Sequence, residues 1–402
     1  MKDLFPGYYR KTDEEIKRIW ENGVIMFDAN VLLNLYRYSD STQNEILSLI
    51  KKFSGQIYLP HQAALEYNRN RYEVISEQEK AYNEFLDKIT QIQKDLQSTS
   101  KPPFLTSKVD KELNNVFEKV TTEVKESSTK YCDYLNNDPI YNSISDLFKN
   151  RITEHFTQDE LNAIYKEGED RYKSKIPPGF EDEKTKEGSN RYGDLILWKQ
   201  IMRKAREIKK DIILITDERK IDWWWKIKNG KIMGPRQELV EEIKADSGID
   251  FHMYSSERFL TYGQSFRNGE INQRAINEIQ AMKKAEIEDM NRLQFLEKRK
   301  FAVKLKVNEE LNILYKKLEE INDKISYFRS HQEPLFNEHF LTNEKMEHAN
   351  KLVKIISELA EEKTEVQSKI NSINDILTES INENSDSIRF KNYYNFNKPE
   401  KG

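Results

Sequence analysis

The sequence predicts an α/β fold: a parallel sheet flanked by helices, carrying a long helical insertion and followed by an α-helical coiled-coil hairpin. Three observations predict it. Four short apolar runs are rich in β-branched or aromatic residues, helical patterns lie between them, and the last third keeps a heptad rhythm. The chain of 402 residues has room for two or three structural units. Its 37% apolar content can supply a core, while 33% charged residues is high for a compact globule and points to long solvated helices.

The apolar runs are Val24–Ala29, Gln56–Pro60, Asp211–Asp217 and Asp250–Ser255. They do not alternate with polar residues, as expected of parallel strands buried on both faces. Helical patterns cover Asn30–Phe53, His61–Leu96, Val109–Tyr134 and Asp194–Lys210. On the last, Leu197, Ile201, Ala205 and Ile208 share one face, which should lie on the sheet. The insertion runs from about Arg69 to Arg191, with breaks around Ser98–Pro103 and Pro177–Gly179. A lid over the sheet edge and a simple flank are both compatible with it.

Past Gly269 the composition changes. Leu311, Leu314, Leu318, Ile321, Ile325 and Phe328 step by three and four. After Pro334 the rhythm resumes at Leu352, Ile356, Leu359, Val366, Ile370, Ile373 and Leu377, with Lys363 as its one charged interruption. An antiparallel helical hairpin is the simplest arrangement, reaching roughly 60–90 Å at 1.5 Å per residue. Such an arm is expected to join copies of the chain into a homo-oligomer or to dock another protein. The expected domains are therefore 1–262, an arm at 270–383, and an Asn- and Ser-rich tail at 384–402 without fixed structure.

Composition also excludes classes of function. A single cysteine, Cys132, rules out an internal disulfide and any multi-cysteine zinc site, and suits a reducing compartment. The first 21 residues carry charges throughout and no stretch is apolar enough to span a membrane. A cytoplasmic location without membrane contact is expected. The net charge of -4 leaves any phosphate binding to local patches. No GxxxxGK[ST] loop is present, so the arm does not belong to a P-loop ATPase.

The informative feature is where acids fall. Asp28 closes an apolar strand and is followed by Asn30; Glu66 lies early in the helix after Pro60. Asp194 opens a helix, and Asp217 ends the third strand after Thr216. Ligands of open α/β sheets collect beyond the carboxyl ends of the strands. Carboxylates gathered there repel one another unless a cation sits among them. Oxygen donors of this kind suit Mg²⁺ or Mn²⁺, which activate water for in-line attack on a phosphodiester.

Four blocks carry a resemblance: FDANVLLNLYR (Phe27–Arg37), LPHQAALEYNRNR (Leu59–Arg71), RYGDLILWKQI (Arg191–Ile201) and ITDERKIDWWW (Ile215–Trp225). Over residues 1–262 the chain resembles PIN-like nucleases, in particular the large bacterial group with a helical insertion, where PPGF (Pro177–Phe180) followed by Asp182 recurs. The resemblance implies a PIN-like parallel sheet and a Mg²⁺ or Mn²⁺ site of three or four acids. It implies a nucleic-acid partner, RNA before DNA, and endonucleolytic cleavage leaving a 5′-phosphate and a 3′-hydroxyl. Relatives of this group are often bacterial toxins or antiviral defence effectors. By residue it implies metal-binding and catalytic roles for Asp28, Glu66, Asp194 and Asp217, with Asn30 and Thr216 in support. The usual Thr-Asp-Asp reads Thr-Asp-Glu here, so Asp217, Glu218 and Asp222 all stay open as the acid facing the ion.

Other residues carry weaker signals. Arg69, Arg71, Lys199 and Arg203 lie near the acids along their helices and are candidate nucleic-acid contacts, although a solvated face accounts for them equally well. Trp223, Trp224 and Trp225 offer stacking faces for bases, but such runs more often divide between core and interface. Asp222 reads as a helix N-cap. Two other functions remain open: a catalytically inactive scaffold that grips nucleic acid, and a structure-specific DNA nuclease using the insertion as a gateway.

Overall fold

An apolar run with no polar alternation has no face to offer water, and each of the four supplies a strand of one parallel sheet covered on both faces. In chain order, α1 (Asp13–Asn22) starts behind a Thr12 capping box and leads into β1 (Val24–Phe27). There follow α2 (Ala29–Leu33), α3 (Asp40–Lys52), β2 (Ile57–Tyr58), α4 (His61–Gln97), α5 (Ser107–Tyr134), α6 (Pro139–Leu147) and α7 (Gln158–Lys173). Next come α8 (Gly193–Ile208), β3 (Ile212–Ile215), β4 (Trp224–Lys226), β5 (Ile232–Pro235), α9 (Gln237–Ser247), β6 (Phe251–Tyr254) and α10 (Ser256–Phe266). Two long helices, α11 (Gln273–Phe336) and α12 (Asn343–Asn382), complete the order. This computed structural model describes residues 1–2, 4–97, 105–184, 186–267, 269–336 and 342–382. The break expected around Ser98–Pro103 and the tail at 384–402 lie outside the described residues.

The main sheet has the order β2-β1-β3-β6. Every pair is parallel, with Ile25 opposite Ile57, Met26 opposite Leu214 and Ile213 opposite His252. All four carboxyl ends therefore meet one edge, where Asp28, Thr216 and Ser255 leave their strands. Residues of one strand point alternately to its two faces. Tyr254 meets Trp20 with ring centroids 5.5 Å apart, while Phe251 meets Trp198 on the opposite face at 5.1 Å. Trp20 of α1, Phe53 beside α3, and Phe259 and Phe266 of α10 fill the first face. On the second, α8 buries Leu197, Ile201 and Ala205, the stripe its spacing predicts.

Three local features differ from the sequence expectations. The helix expected over Asn30–Phe53 is broken after Leu33 and restarts at Asp40, because Ser39 accepts a cap hydrogen bond from the Thr42 amide. The break lets the Tyr36 hydroxyl reach Tyr67 at 2.7 Å and Asp138 at 2.6 Å. Between β3 and α9 the chain adds the antiparallel hairpin β4–β5, which turns at Gly230 with φ of 80°. Asn229-Gly230 is a hairpin turn signal that the tryptophan run obscured. Asp222 caps no helix starting at the tryptophans; it receives the amides of Gly179 (2.9 Å) and Glu181 (3.2 Å) from the PPGF loop.

The described residues divide into two compact units, one covering Met1–Lys283 and one beginning at Lys284. The first unit keeps the opening turns of α11, whose Ala275, Ile276 and Ile279 are buried. Glu278 there accepts hydrogen bonds from the Ser39 amide (2.6 Å) and the Thr42 hydroxyl (2.7 Å). Within the second unit, Leu311, Ile321 and Ile325 of α11 pack against Val366 and Ile370 of α12. Lys317 pairs with Glu362 at 2.7 Å across them. The apolar positions with heptad spacing thus meet each other inside a single chain. Among the described residues no helix is long and apolar enough to cross a membrane.

Candidate metal centre

Asp28 leaves β1 and caps α2, its Oδ1 accepting the Ala29 amide at 2.7 Å. Its Oδ2 accepts from the Asn30 amide group (2.8 Å) and the Thr216 hydroxyl (2.7 Å). β1 and β3 are neighbours in register, so the two strand ends are laced together at this carboxylate. Burial, followed by the charges of Glu66, Asp194 and Glu218, pushes the Asp28 carboxyl up to about 7, against the Thr216 hydrogen bond. Glu66 stands in the second turn of α4 and accepts from Gln62 at 2.6 Å. Burial raises it too, and Asp194 adds to the rise. A Cβ at Gly193 would come within 3.0 Å of Glu66 Oε1, so a glycine at the start of α8 leaves room for this carboxylate.

Asp194 accepts from Trp223 Nε1 at 3.1 Å and pairs with Lys220 at 3.2 Å. Burial works to raise it, but Lys220 and Lys186 hold it below the usual carboxylate range. Asp217 turns to a different set of partners. Its carboxylate accepts from the Ser256 amide (3.0 Å) and hydroxyl (2.6 Å) and from Asn34 (3.1 Å), and pairs with Lys283 at 2.6 Å. Against burial, Lys283 and Ser256 keep it low. Lys283 also pairs with Glu257. Glu218, by contrast, contributes to the field at Asp28, and it accepts from the Lys220 amide at 3.0 Å and pairs with the Lys220 side chain at 3.3 Å. The structure therefore groups Asp28, Glu66, Asp194 and Glu218, ties Asp217 to Ser256 and Lys283, and commits Asp222 to the PPGF loop.

Three groups that sequence spacing did not single out complete the edge. Lys220 pairs with the buried Asp182 at 2.8 Å as well as with Asp194 and Glu218. Lys186 pairs with Asp182 at 2.7 Å, and Lys283 serves Asp217. The carboxylates thus fall into two classes. Asp182, Asp194, Asp217 and Glu218 each have a lysine partner, whereas Asp28 and Glu66 accept hydrogen bonds from neutral donors and form no ion pair among the described residues. Among the described residues no three Asp, Glu, His or Cys side chains gather tightly enough to hold a metal ion by themselves. Two carboxylates completed by waters and phosphate oxygens are a usual Mg²⁺ arrangement. Asp28 and Glu66, raised by burial and by like charge, fit that arrangement, since a cation beside them would relieve both effects.

The tryptophan run divides as runs of this kind tend to. Trp223 and Trp224 are buried, with Trp224 Nε1 donating to the Glu218 carbonyl at 2.6 Å, and Trp225 meets Tyr8 edge-on. Of the basic candidates, Lys199 pairs with Glu167 at 2.6 Å and Arg203 pairs with Glu160. Arg69 is exposed, with no ion pair among the described residues. Arg71 donates to Asp138 at 2.9 Å and lies between the rings of Tyr72 and Tyr141 at 4.1 and 4.3 Å. Removing one member of a buried pair strands the other charge. Arg71→Met should therefore cost about 3 kcal/mol of stability in urea unfolding while leaving the salt dependence of any nucleic-acid binding unchanged. Weakened binding at unaltered stability would instead make Arg71 a phosphate contact.

Comparison with known proteins agrees with this architecture. Residues 24–239, more than half of the chain, match the family described as PIN like domain. No curated protein and no solved structure matches the chain. The matched segment runs from β1 into α9 and contains Asp28, Glu66, Asp182, Asp194, Asp217, Glu218 and Lys220. On the sheet, the site and this match together, the chain belongs to the PIN-like domain family.

Proposed function

We propose that the protein is a divalent-metal-dependent endonuclease acting on RNA, with Mg²⁺ or Mn²⁺ held by Asp28 and Glu66. The carrying observation is the pair itself: two carboxylates raised by burial that form no ion pair among the described residues, at the carboxyl edge of a PIN-like sheet, beside Asp194 and Glu218. PIN-like domains are generally nucleases, which supports the reaction class. A divalent ion bound there supplies an activated water and offsets charge on the phosphodiester. The chain's own contribution is orientation. Asn30, Thr216 and the Ala29 amide fix the Asp28 carboxylate, and Gln62 fixes that of Glu66. Trp223 and Lys220 hold Asp194.

Incubation of end-labelled single-stranded RNA and flapped DNA with Mn²⁺, and with a chelator, tests this reading. Mn²⁺-dependent cleavage of the RNA to 5′-phosphate products is expected, with the flapped DNA cut more slowly. Preference for the flap would assign a structure-specific DNA nuclease. A second reading has one observation in its favour: lysines already neutralise four of the acids, as in a domain that grips nucleic acid without cutting it. No cleavage of either substrate, with no heat of Mn²⁺ binding, would select that scaffold.

A further inference from the structure

We propose that the Lys220 ammonium is a resident cation of this centre, occupying the place of a second metal ion, so that the acids take up one divalent ion rather than two. This rests on the nuclease reading above and goes beyond it by assigning a positioning residue and a stoichiometry. An ammonium group has three donors and no acceptor. Lys220 has three carboxylate partners for them: Asp182 at 2.8 Å, Asp194 at 3.2 Å and Glu218 at 3.3 Å.

The position is built rather than incidental. Asp182, 1% exposed, is shared with Lys186 at 2.7 Å, so the anchor of Lys220 is itself fixed from the PPGF side. The backbone leading into Lys220 is pinned as well. Trp224 Nε1 donates to the Glu218 carbonyl and Lys226 Nζ to the Arg219 carbonyl, both at 2.6 Å. Glu218 accepts the amides of Arg219 (2.6 Å) and Lys220 (3.0 Å), closing a tight turn around the lysine.

An ion entering between Asp194 and Glu218 would have to displace an ammonium that these contacts hold, and would meet its like charge at short range. Among the described residues neither Asp28 nor Glu66 forms an ion pair; Lys186 and Lys220 act on Glu66 only through their field. Lys220 therefore holds Asp194 and Glu218 oriented beside the ion site and offsets the repulsion between the two carboxylates. Phosphate charge arriving at the edge finds one metal ion and one fixed ammonium.

Counting Mn²⁺ on the full-length chain, by isothermal titration and by electron paramagnetic resonance of the free ion, tests the assignment without any turnover. The wild type should bind one ion. Lys220→Met, which keeps the apolar stem and deletes the charge, should bind two, and Lys220→Arg should return the count to one. Two ions on the wild type would overturn the proposal while leaving the nuclease reading intact. One ion on a folded Lys220→Met chain would overturn it equally. No ion on the wild type would remove this inference and the nuclease reading together. Should Lys220→Met fail to fold, as circular dichroism would report, the wild-type count still decides.

Discussion

Asp28→Asn is expected to lose Mn²⁺-dependent RNA cleavage by about 10³-fold or more and, in the absence of metal, to unfold at a higher temperature than the wild type. The loss follows from removing one of the two carboxylate donors that form no ion pair among the described residues. Metal-borne charge stabilisation is worth several kcal/mol, and ~4 kcal/mol corresponds to about three powers of ten in rate. The gain follows from linkage. The folded Asp28 carboxyl titrates at about 7, whereas an aspartate in an unfolded chain titrates near ~3.9. Below ~3.9 both states hold the proton and nothing is lost. Between ~3.9 and about 7 the unfolded chain releases it first, so stability falls through that window and stays low above it. About three pH units correspond to at most ~4 kcal/mol for this one group. Asparagine carries no such penalty, so the difference in melting temperature should be large at pH 8 and vanish near pH 4. Mn²⁺ should raise the melting temperature of the wild type and not of the variant. Equal cleavage by the two proteins would remove Asp28 from the mechanism.

The second large effect is expected far from the acids. Arg171 of α7 is 7% exposed and makes a forked contact with Glu242 at 2.7 and 2.8 Å. It also pairs with Glu167 at 3.1 Å and donates to the carbonyl of Pro177. Glu242 in turn accepts from Trp198 at 2.8 Å, the ring that packs on Phe251 of the sheet. Arg171→Met leaves the half-buried Glu242 without its main partner, with only Trp198 and Lys199 remaining, which costs about 3 kcal/mol. For a unit of this size that is on the order of ten degrees in melting temperature. Because Arg171 holds the start of the PPGF loop, cleavage should weaken only modestly at low temperature, where the fold persists. A melting shift of less than a degree or two would show that the loop and Trp198 are held by other contacts.

What could be read in the sequence was whatever announces itself locally. A strand buried on both faces must be a continuous apolar run, so the four parallel strands were visible, and so were acids placed at their ends. Asp28 and Glu66 fall where that logic put them. Partners chosen by tertiary packing were not legible. Lys220 and Lys283 sit in charged stretches and look like any solvated lysine until the fold brings Asp182, Asp194 and Asp217 against them. For the same reason Arg71, Lys199 and Arg203, which seemed free to meet phosphate, are engaged by Asp138, Glu167 and Glu160. Two local signals were present and outweighed: Ser39 as a helix cap, hidden by apolar periodicity on both sides, and Asn229-Gly230 as a turn, hidden by three tryptophans. Of the acids left open after Thr216, Asp217 meets the Ser256 amide and hydroxyl, a partner set by where β6 ends, and Glu218 turns to Lys220.

The opening turns of α11 belong with the sheet: Glu278 fastens them to Ser39 and Thr42, and Lys283 reaches Asp217. A lineage that exchanged its C-terminal hairpin for another appendage would thus have to recombine beyond Lys283. A crossover at the composition change near Gly269 would carry off the salt-bridge partner of Asp217 along with the discarded arm, and the newcomer would inherit the task of replacing it.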